Sequence, residues 1–454
     1  MILTRTRIKD FTQGSITRQL AVFAAPLFLS NLLQIVYNMV DMIVVGNVLG
    51  QVGLSAVSVG GDLTSFMTFL GMGFCAAGQV LIAQYIGEGR RDRLGRFVST
   101  MFGFLMVSAA VISGVCILLQ HHMLTWMNVP AEAYAEALNY STVCIAGLVF
   151  IYGYNIVSAV LRGMGDSKHP FIFISVAAVM NLVLDIVLVG YMGLGAGGAA
   201  LATVISQGTS FLLCGVFLMK NKAQFSLDMT PGDFLRWDRT MLSELVKLGT
   251  PMAIKSAAIH FSKLFVNSWI NSYGVAVSAF AGIANKISSI SNLLSNSLNT
   301  AGATMVGQNI AAGKHKRVVR IMLTLFAITF TVAGLLSLGI CTWPMELFSI
   351  FTKEEAVLAI ALDYLPIACL LFFGSAARCG MNALMNGSGN YRVNFATAIL
   401  DGIVLRIGLA VLFGLVLDMK HLGFWLGDAL AGFTPFFIGL VFYFSGIWKR
   451  GRRK

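Results

Sequence analysis

The stretch AQYIGEGRRDR at residues 83–93 closes one apolar run, and GQNIAAGKHKR at 307–317 closes another 224 residues further on. Gln84, Ile86, Gly89 and Arg93 recur there as Gln308, Ile310, Gly313 and Arg317. The same offset carries Gly163 and Gly165 onto Gly387 and Gly389, and Pro26 and Pro251 stand at the same place in the first apolar run of each half. A period of that length marks an internal duplication, in which each half is one complete copy of a structural unit.

The composition says what kind of unit it is. Of 454 residues, 57% are hydrophobic and 11% charged, and the mean hydropathy is +0.79. A soluble domain carries about a quarter charged residues to cover its surface, so a water-soluble fold is excluded. Runs long enough to cross a bilayer, about 18 residues or more, lie near 20–45, 54–85, 97–119, 138–160, 171–190 and 195–219, and again near 245–270, 275–308, 319–342, 356–384, 394–416 and 422–447. The expected fold is an all-α integral membrane protein with twelve transmembrane helices in two six-helix lobes. Six crossings return the chain to its starting side, so the repeat is parallel, with a pseudo-two-fold axis along the membrane normal and a central cleft. The expected boundaries are 1–219 for the N-terminal lobe, 220–243 for a cytoplasmic linker of mixed charge and 244–454 for the C-terminal lobe.

The net charge of +12 is topological. Basic residues come in bursts at every second connection: Arg5 to Arg18, Arg90 to Arg96, Arg162 and Lys168, Lys220 to Lys247, Lys314 to Arg320 and Lys449 to Lys454. The positive-inside rule then places both termini in the cytoplasm of a multi-pass protein of the cytoplasmic membrane, and nucleic acid is not an expected partner. The first eighteen residues are polar and the apolar run after them is too long for a signal peptide, so it reads as an uncleaved first span. The seven cysteines sit within apolar runs without a CxxC pair and read as packing residues.

Ionised groups are costly in hydrocarbon and need a partner, a watery cavity or a function. Asn31, Gln34, Asn38 and Asp41, with Tyr37 alongside, make one face of the first span polar over three turns. Asn181 and Asp185 share a face of the fifth span, and Thr203 and Gln207 repeat that spacing on the sixth. Two carboxylates, an amide and a hydroxyl suit a hard cation or a shared proton; the alternative is that Asp185 merely bonds Asn181 and the helix backbone. Asp62 reads as structural. The second half has the opposite sign. Ser256, His260, Lys263, Asn267 and Asn271, with Lys255, stripe the seventh span; Asn285, Ser289, Asn292, Asn296 and Asn299, with Lys286, stripe the eighth. These faces are expected to line a wet cavity; the alternative for Lys286, Arg378 and Arg406, and the expected one for Arg406, is that they pair with Asp363 or Asp401 or reach for the interface.

No phosphate-binding GxxxxGK[ST] loop occurs, which argues against ATP as the energy source. HExxH and GxSxG are absent, and His121 and His122 have no third ligand beside them, so no enzyme chemistry and no catalytic residue is expected.

Taken together, Pro26 with SNLLQIVYNMVDMIVVG (30–46), AQYIGEG (83–89), LRGMGDS (161–167), NLVLD (181–185), VGQNIAAGK (306–314) and LMNGSGN (384–390) resembles the multidrug and toxic compound extrusion (MATE) family, in its DinF-like branch. The resemblance covers both halves. It implies a cation-coupled antiporter, driven by H⁺ or Na⁺ and without other cofactors, that exports drugs or other small, amphipathic organic compounds by alternating access as a monomer in the lipid bilayer. It also implies that Asp41, Asn181, Asp185 and Thr203 form the coupling site and that Pro26 is a bend in the first helix. The acids that the family's NorM-like pattern carries in its second half have no match here: Ile259 and His260 stand near one place and Gly374 at the other. Cavity-lining candidates are Gln34, Tyr37, Asn38, Gln207, Ser256, His260, Lys263, Asn267, Asn285 and Asn292. Two other transporter readings remain, a flippase for a lipid-linked precursor, which the lysines of the second half favour, and a major-facilitator-type transporter, whose loop signature DRLGR (92–96) echoes imperfectly.

Overall fold

In the computed structural model, residues 6–127 and 129–450 are described; Arg5 and Arg452 to Lys454 of the basic bursts lie outside them. The described chain is helical throughout, with no strand. The helices are α1 (Ile16–Gly87), α2 (Leu94–Trp126), α3 (Ala131–Ala146), α4 (Leu148–Gly163), α5 (Lys168–Asp185), α6 (Gly195–Lys220), α7 (Arg239–Asn271), α8 (Val275–Ala311), α9 (His315–Thr342), α10 (Pro344–Ser349), α11 (Glu355–Ser388), α12 (Tyr391–Ile399), α13 (Leu405–Val411), α14 (Lys420–Ala431) and α15 (Thr434–Phe444).

Eight of the helical segments are long and apolar enough to cross a bilayer, and nine if α3 and α4, bent by 45° where they meet, count as one broken span. Helix α1 holds 72 residues, and Gly50, at φ +63°, breaks it into two arms each long enough to cross. Helices α7 and α8 have 33 and 37 residues, ample length, but fall short in hydropathy because they carry the asparagine and lysine stripes. Two further helices among the described residues thus have spanning length without the hydropathy, and both carry polar stripes.

The duplication is a repetition of contacts as well as of letters. Gly50 and Gly274 stand 224 residues apart, both in the left-handed region at the break between first and second helix of their half. Arg90 and Lys314 share φ −86° and ψ 57° at the turn that follows. A Cβ on Gly163 would meet the carbonyl oxygen of Gln79 at 2.9 Å; on Gly387 it would meet that of Ala303, the repeat equivalent, at 2.7 Å. Both glycines let two helices touch backbone to backbone, the close approach that small residues allow in membrane packing.

The chain forms two compact units. One comprises Ala25–Gly249 with the described residues up to Asp10; the other comprises Phe11–Ala24 and Thr250 onward. The polar stretch after α6 belongs to the first unit and is packed: Phe225, Leu227 and Met229 are buried in it. Its end is tied to that unit by the Asp238 N–H to Thr100 Oγ1 (3.2 Å), by the Arg96–Asp238 ion pair (3.1 Å) and by Tyr85 Oη to Glu244 Oε2 (3.1 Å).

Residues 11–24 do the reciprocal thing in the second unit. The Phe11 N–H donates to Gln308 Oε1 (2.9 Å), and Asn309 Nδ2 donates to the Phe11 carbonyl (3.1 Å). The Arg317 guanidinium gathers the rest, donating to the carbonyls of Phe11 (3.0 Å), Gly14 (2.8 Å) and Gln13 (2.8 Å) and to Gln19 Oε1 (2.9 Å). Each leading segment therefore docks on the unit built by the opposite half of the sequence. The chain passes between units inside α1, just before Pro26, and inside α7, just before Pro251.

Hydrogen bonds from a charged donor contribute about 1.5–3 kcal/mol each, so Arg317→Ala should loosen the 11–19 segment by about 2–4 kcal/mol. The expected result is faster trypsin cleavage after Arg18, while Arg93→Ala, at the exposed repeat counterpart, leaves the rate unchanged. Gly387→Val, whose side chain would drive into the Ala303 carbonyl, should lower the melting temperature in detergent and the yield of folded protein, as Gly163→Val should in the first unit.

Candidate functional site

Asp185 is the last residue of α5, and the helix continues from it as a π-helical turn, Ile186–Tyr191. Such widened turns break the register of a helix and are frequent at functional sites. Asp185 is fully buried, and neither carboxylate oxygen accepts a hydrogen bond from a protein donor. Its carboxyl group is an electrostatic neighbour of that of Asp41, from the first arm of α1. Asp41 is 7% exposed, and its Oδ1 meets no donor either. Two carboxylates cannot hydrogen-bond each other without a proton, and a buried pair of like charges is strongly unfavourable. The arrangement calls for something positive between them.

One turn before Asp185, Asn181 Nδ2 donates to Thr203 Oγ1 of α6 at 3.4 Å. Asn181, Thr203, Ser206, Gln207 and Tyr37 line a small pocket with room for about one water molecule. Ser206 Oγ and Gln207 Oε1 are buried without a partner. Of the eleven such orphaned side-chain atoms among the described residues, five belong to Asp41, Asp185, Ser206 and Gln207. Buried polar atoms are almost always satisfied in a folded protein, so this concentration of bare oxygens is the chemical signature of a place that takes up a proton, a cation or water. Gln34 is half-buried and Asn38 exposed. Sequence reading passed over Ser206, although its position next to Gln207 was the available signal.

The second unit is organised around a buried arginine. Arg406, 2% exposed, bridges Asp401 at 2.9 Å and also pairs with Asp428. Arg378 donates to Asn292 Oδ1 rather than to an acid, and Ser375 Oγ shares that oxygen at 3.2 Å. Lys255 Nζ donates to Asn382 Oδ1 at 2.8 Å. Lys263, Asn267 and Ser256 are half-buried, the last returning its hydroxyl to the Met252 carbonyl (3.2 Å). His260, Asn285 and Lys286 are exposed. Asp428 and Asn382 were not among the sequence candidates, yet a lone acid in the twelfth apolar run was a readable clue. Among the described residues no group of three or more His, Cys, Asp and Glu side chains is arranged to hold a metal.

The MatE family profile matches residues 26–187 and again 251–412, one match for each half of the duplication. The chain belongs to the MatE family. It is accordingly a multi-pass membrane transporter with a small-molecule substrate, and not an enzyme. It is 29% identical over 445 residues to the probable multidrug resistance protein YoeA of Bacillus subtilis (strain 168), covering 97% of this chain and 96% of that one. A second relative from the same organism, the probable multidrug resistance protein YpnP, is 27% identical over 441 residues, 97% of each chain. The crystal structure of MATE in complex with MaD3S superposes with a TM-score of 0.88 at 20% identity, over 97% of this chain and 99% of that one, and so has the same two-lobed fold.

The donorless pair makes a stability prediction of its own. Asp185→Asn supplies an N–H that Asp41 can accept, so this MATE protein should insert normally and melt at or above the wild-type temperature by scanning fluorimetry in neutral detergent. A lower melting temperature would mean that Asp185 is held by structural contacts instead.

Proposed function

We propose that this chain is a cation-coupled antiporter that exports drugs or other small amphipathic organic compounds from the cytoplasm by alternating access. The observation that carries the reading is the buried Asp41–Asp185 pair, three of whose four carboxylate oxygens lack a protein donor. With Asn181 and Thr203 beside it, the pair offers hard oxygen ligands to H⁺ or Na⁺ and neutralises either one. The relatives' descriptions as multidrug resistance proteins support the substrate side of the proposal.

The driving force is sufficient. One charge moving through about 100 mV supplies about 2.3 kcal/mol, and at 1.4 kcal/mol per tenfold that sustains a substrate gradient of roughly fiftyfold. Coupling follows if ion and substrate each bind one conformation better than the other. Pro26 and Pro251 each remove a backbone donor from the helix turn that follows a passage between units, and a helix with a missing hydrogen bond bends there at the least cost. The protein works as a monomer with both termini in the cytoplasm, as the basic connections direct.

The test is substrate efflux from reconstituted vesicles under imposed gradients. Wild-type protein should respond to either a pH or a Na⁺ gradient, and the one that drives transport names the ion. Asp41→Asn and Asp185→Asn, made separately, should each reduce gradient-driven transport to the protein-free rate while inserting normally. Full transport by either variant overturns the coupling site.

A further inference from the structure

The coupling pair leaves the charges of the second unit unused. That unit contains seven acidic residues. Glu346, Glu354, Glu355, Asp363 and Asp418 are exposed, in connections or near helix ends, and only Asp401 and Asp428 lie in the interior. Both interior acids are taken by Arg406, which leaves the triad with a net charge of −1.

Around the triad stand three further cations on two helices, Lys255 and Lys263 of α7 and Arg378 of α11, with Arg378 in electrostatic range of both lysines. Their contribution turns the cluster to a net charge of +2. The partners that Lys255 and Arg378 have are the amide oxygens of Asn382 and Asn292, which orient a cation without neutralising it. Asn292 is itself held by Ser288, whose hydroxyl accepts from its Nδ2 at 3.2 Å. All three cations are half-buried within the membrane-embedded part of the chain.

Surplus positive charge in that setting is unfavourable and remains only where an anion offsets it. The site has the parts for one: a planar guanidinium that can grip two oxygens of a carboxylate or phosphate, with two ammonium groups in its electrostatic range that act as point charges. We infer that the second unit binds the acidic group of its substrate, so that the transported compounds are amphipathic anions or zwitterions bearing a carboxylate, phosphate or sulfonate, held by Lys255, Lys263 and Arg378. This deepens the export reading by naming the substrate class, and rests on it only for the word substrate. Such an acidic group belongs either to a free solute or to a lipid headgroup.

Binding is measured on the purified full-length protein in neutral detergent, without any gradient, by fluorescence polarisation of carboxyfluorescein, with ethidium as the cationic comparator. Carboxyfluorescein should bind saturably and lose affinity as salt rises. Lys255→Gln, Lys263→Gln and Arg378→Gln should each weaken it at least tenfold, Arg378→Lys should weaken it less than Arg378→Gln, and Lys286→Gln, at an exposed position, should bind as wild type. Displacement of the dye by phosphatidylglycerol micelles, but not by sulfonated solutes, supports a headgroup as the natural ligand; displacement by the solutes alone supports free anions. Equal affinity for ethidium and carboxyfluorescein, or unchanged dye binding in all three glutamine variants with normal melting curves, overturns the inference. Asp41→Asn separates the two proposals, because it should abolish transport and leave dye binding intact.

Discussion

Hydrocarbon cannot solvate an ion, and that constraint orders the interior of this protein. Among the described residues Arg406 has found its counter-charges in Asp401 and Asp428, while other interior charges have none in a salt bridge. Asp41 and Asp185 are the acidic case, two neighbouring carboxyl groups with three of their four oxygens lacking a protein donor. Lys255, Lys263 and Arg378 are the basic case. The two units of one duplicated chain have thus kept the same scaffold and acquired interior charge of opposite sign.

The scaffold is repeated down to single contacts. The same glycine contacts the same carbonyl in each half, and the same turn follows the second helix. What the duplication adds is an exchange: residues 11–24 are fastened to the second unit by Arg317, while the stretch after α6 is fastened to the first by Asp238 and Glu244. Both passages occur within a helix and immediately before a proline. The two prolines are related by the repeat, and each removes one backbone donor from its helix.

Much of this was legible in the sequence, because the signals are local or periodic. Apolar run length, a constant offset of 224 and bursts of basic residues need no knowledge of who touches whom, and the helices fall close to the expected runs. The seventh and eighth helices show where such reading strains. Their length marks them as spans while their asparagines and lysines pull their hydropathy down, and only the stripe pattern reconciles the two. The polar stretch at 220–243 reads as a connection, yet Phe225, Leu227 and Met229 are sunk in the first unit, a burial that three scattered apolar residues do not announce.

By itself the sequence determined that the chain is a duplicated, all-helical membrane protein and which polar residues lie in its spans, because periodicity and hydropathy are properties of neighbouring letters. The stripes alone left Asp41 and Asp185 open between a cation or proton site and a structural role, and the family resemblance tipped the reading toward a site. Only the tertiary structure decided that these two, 144 residues apart, come to be neighbours with bare oxygens, that Arg406 takes two acids and, with three further cations nearby, leaves a surplus of two positive charges, and that each half's leading segment docks on the other's unit. Those are pairings across helices. Which charge finds a partner depends on the rotation and depth of every helix at once, and no stretch of sequence encodes that alone.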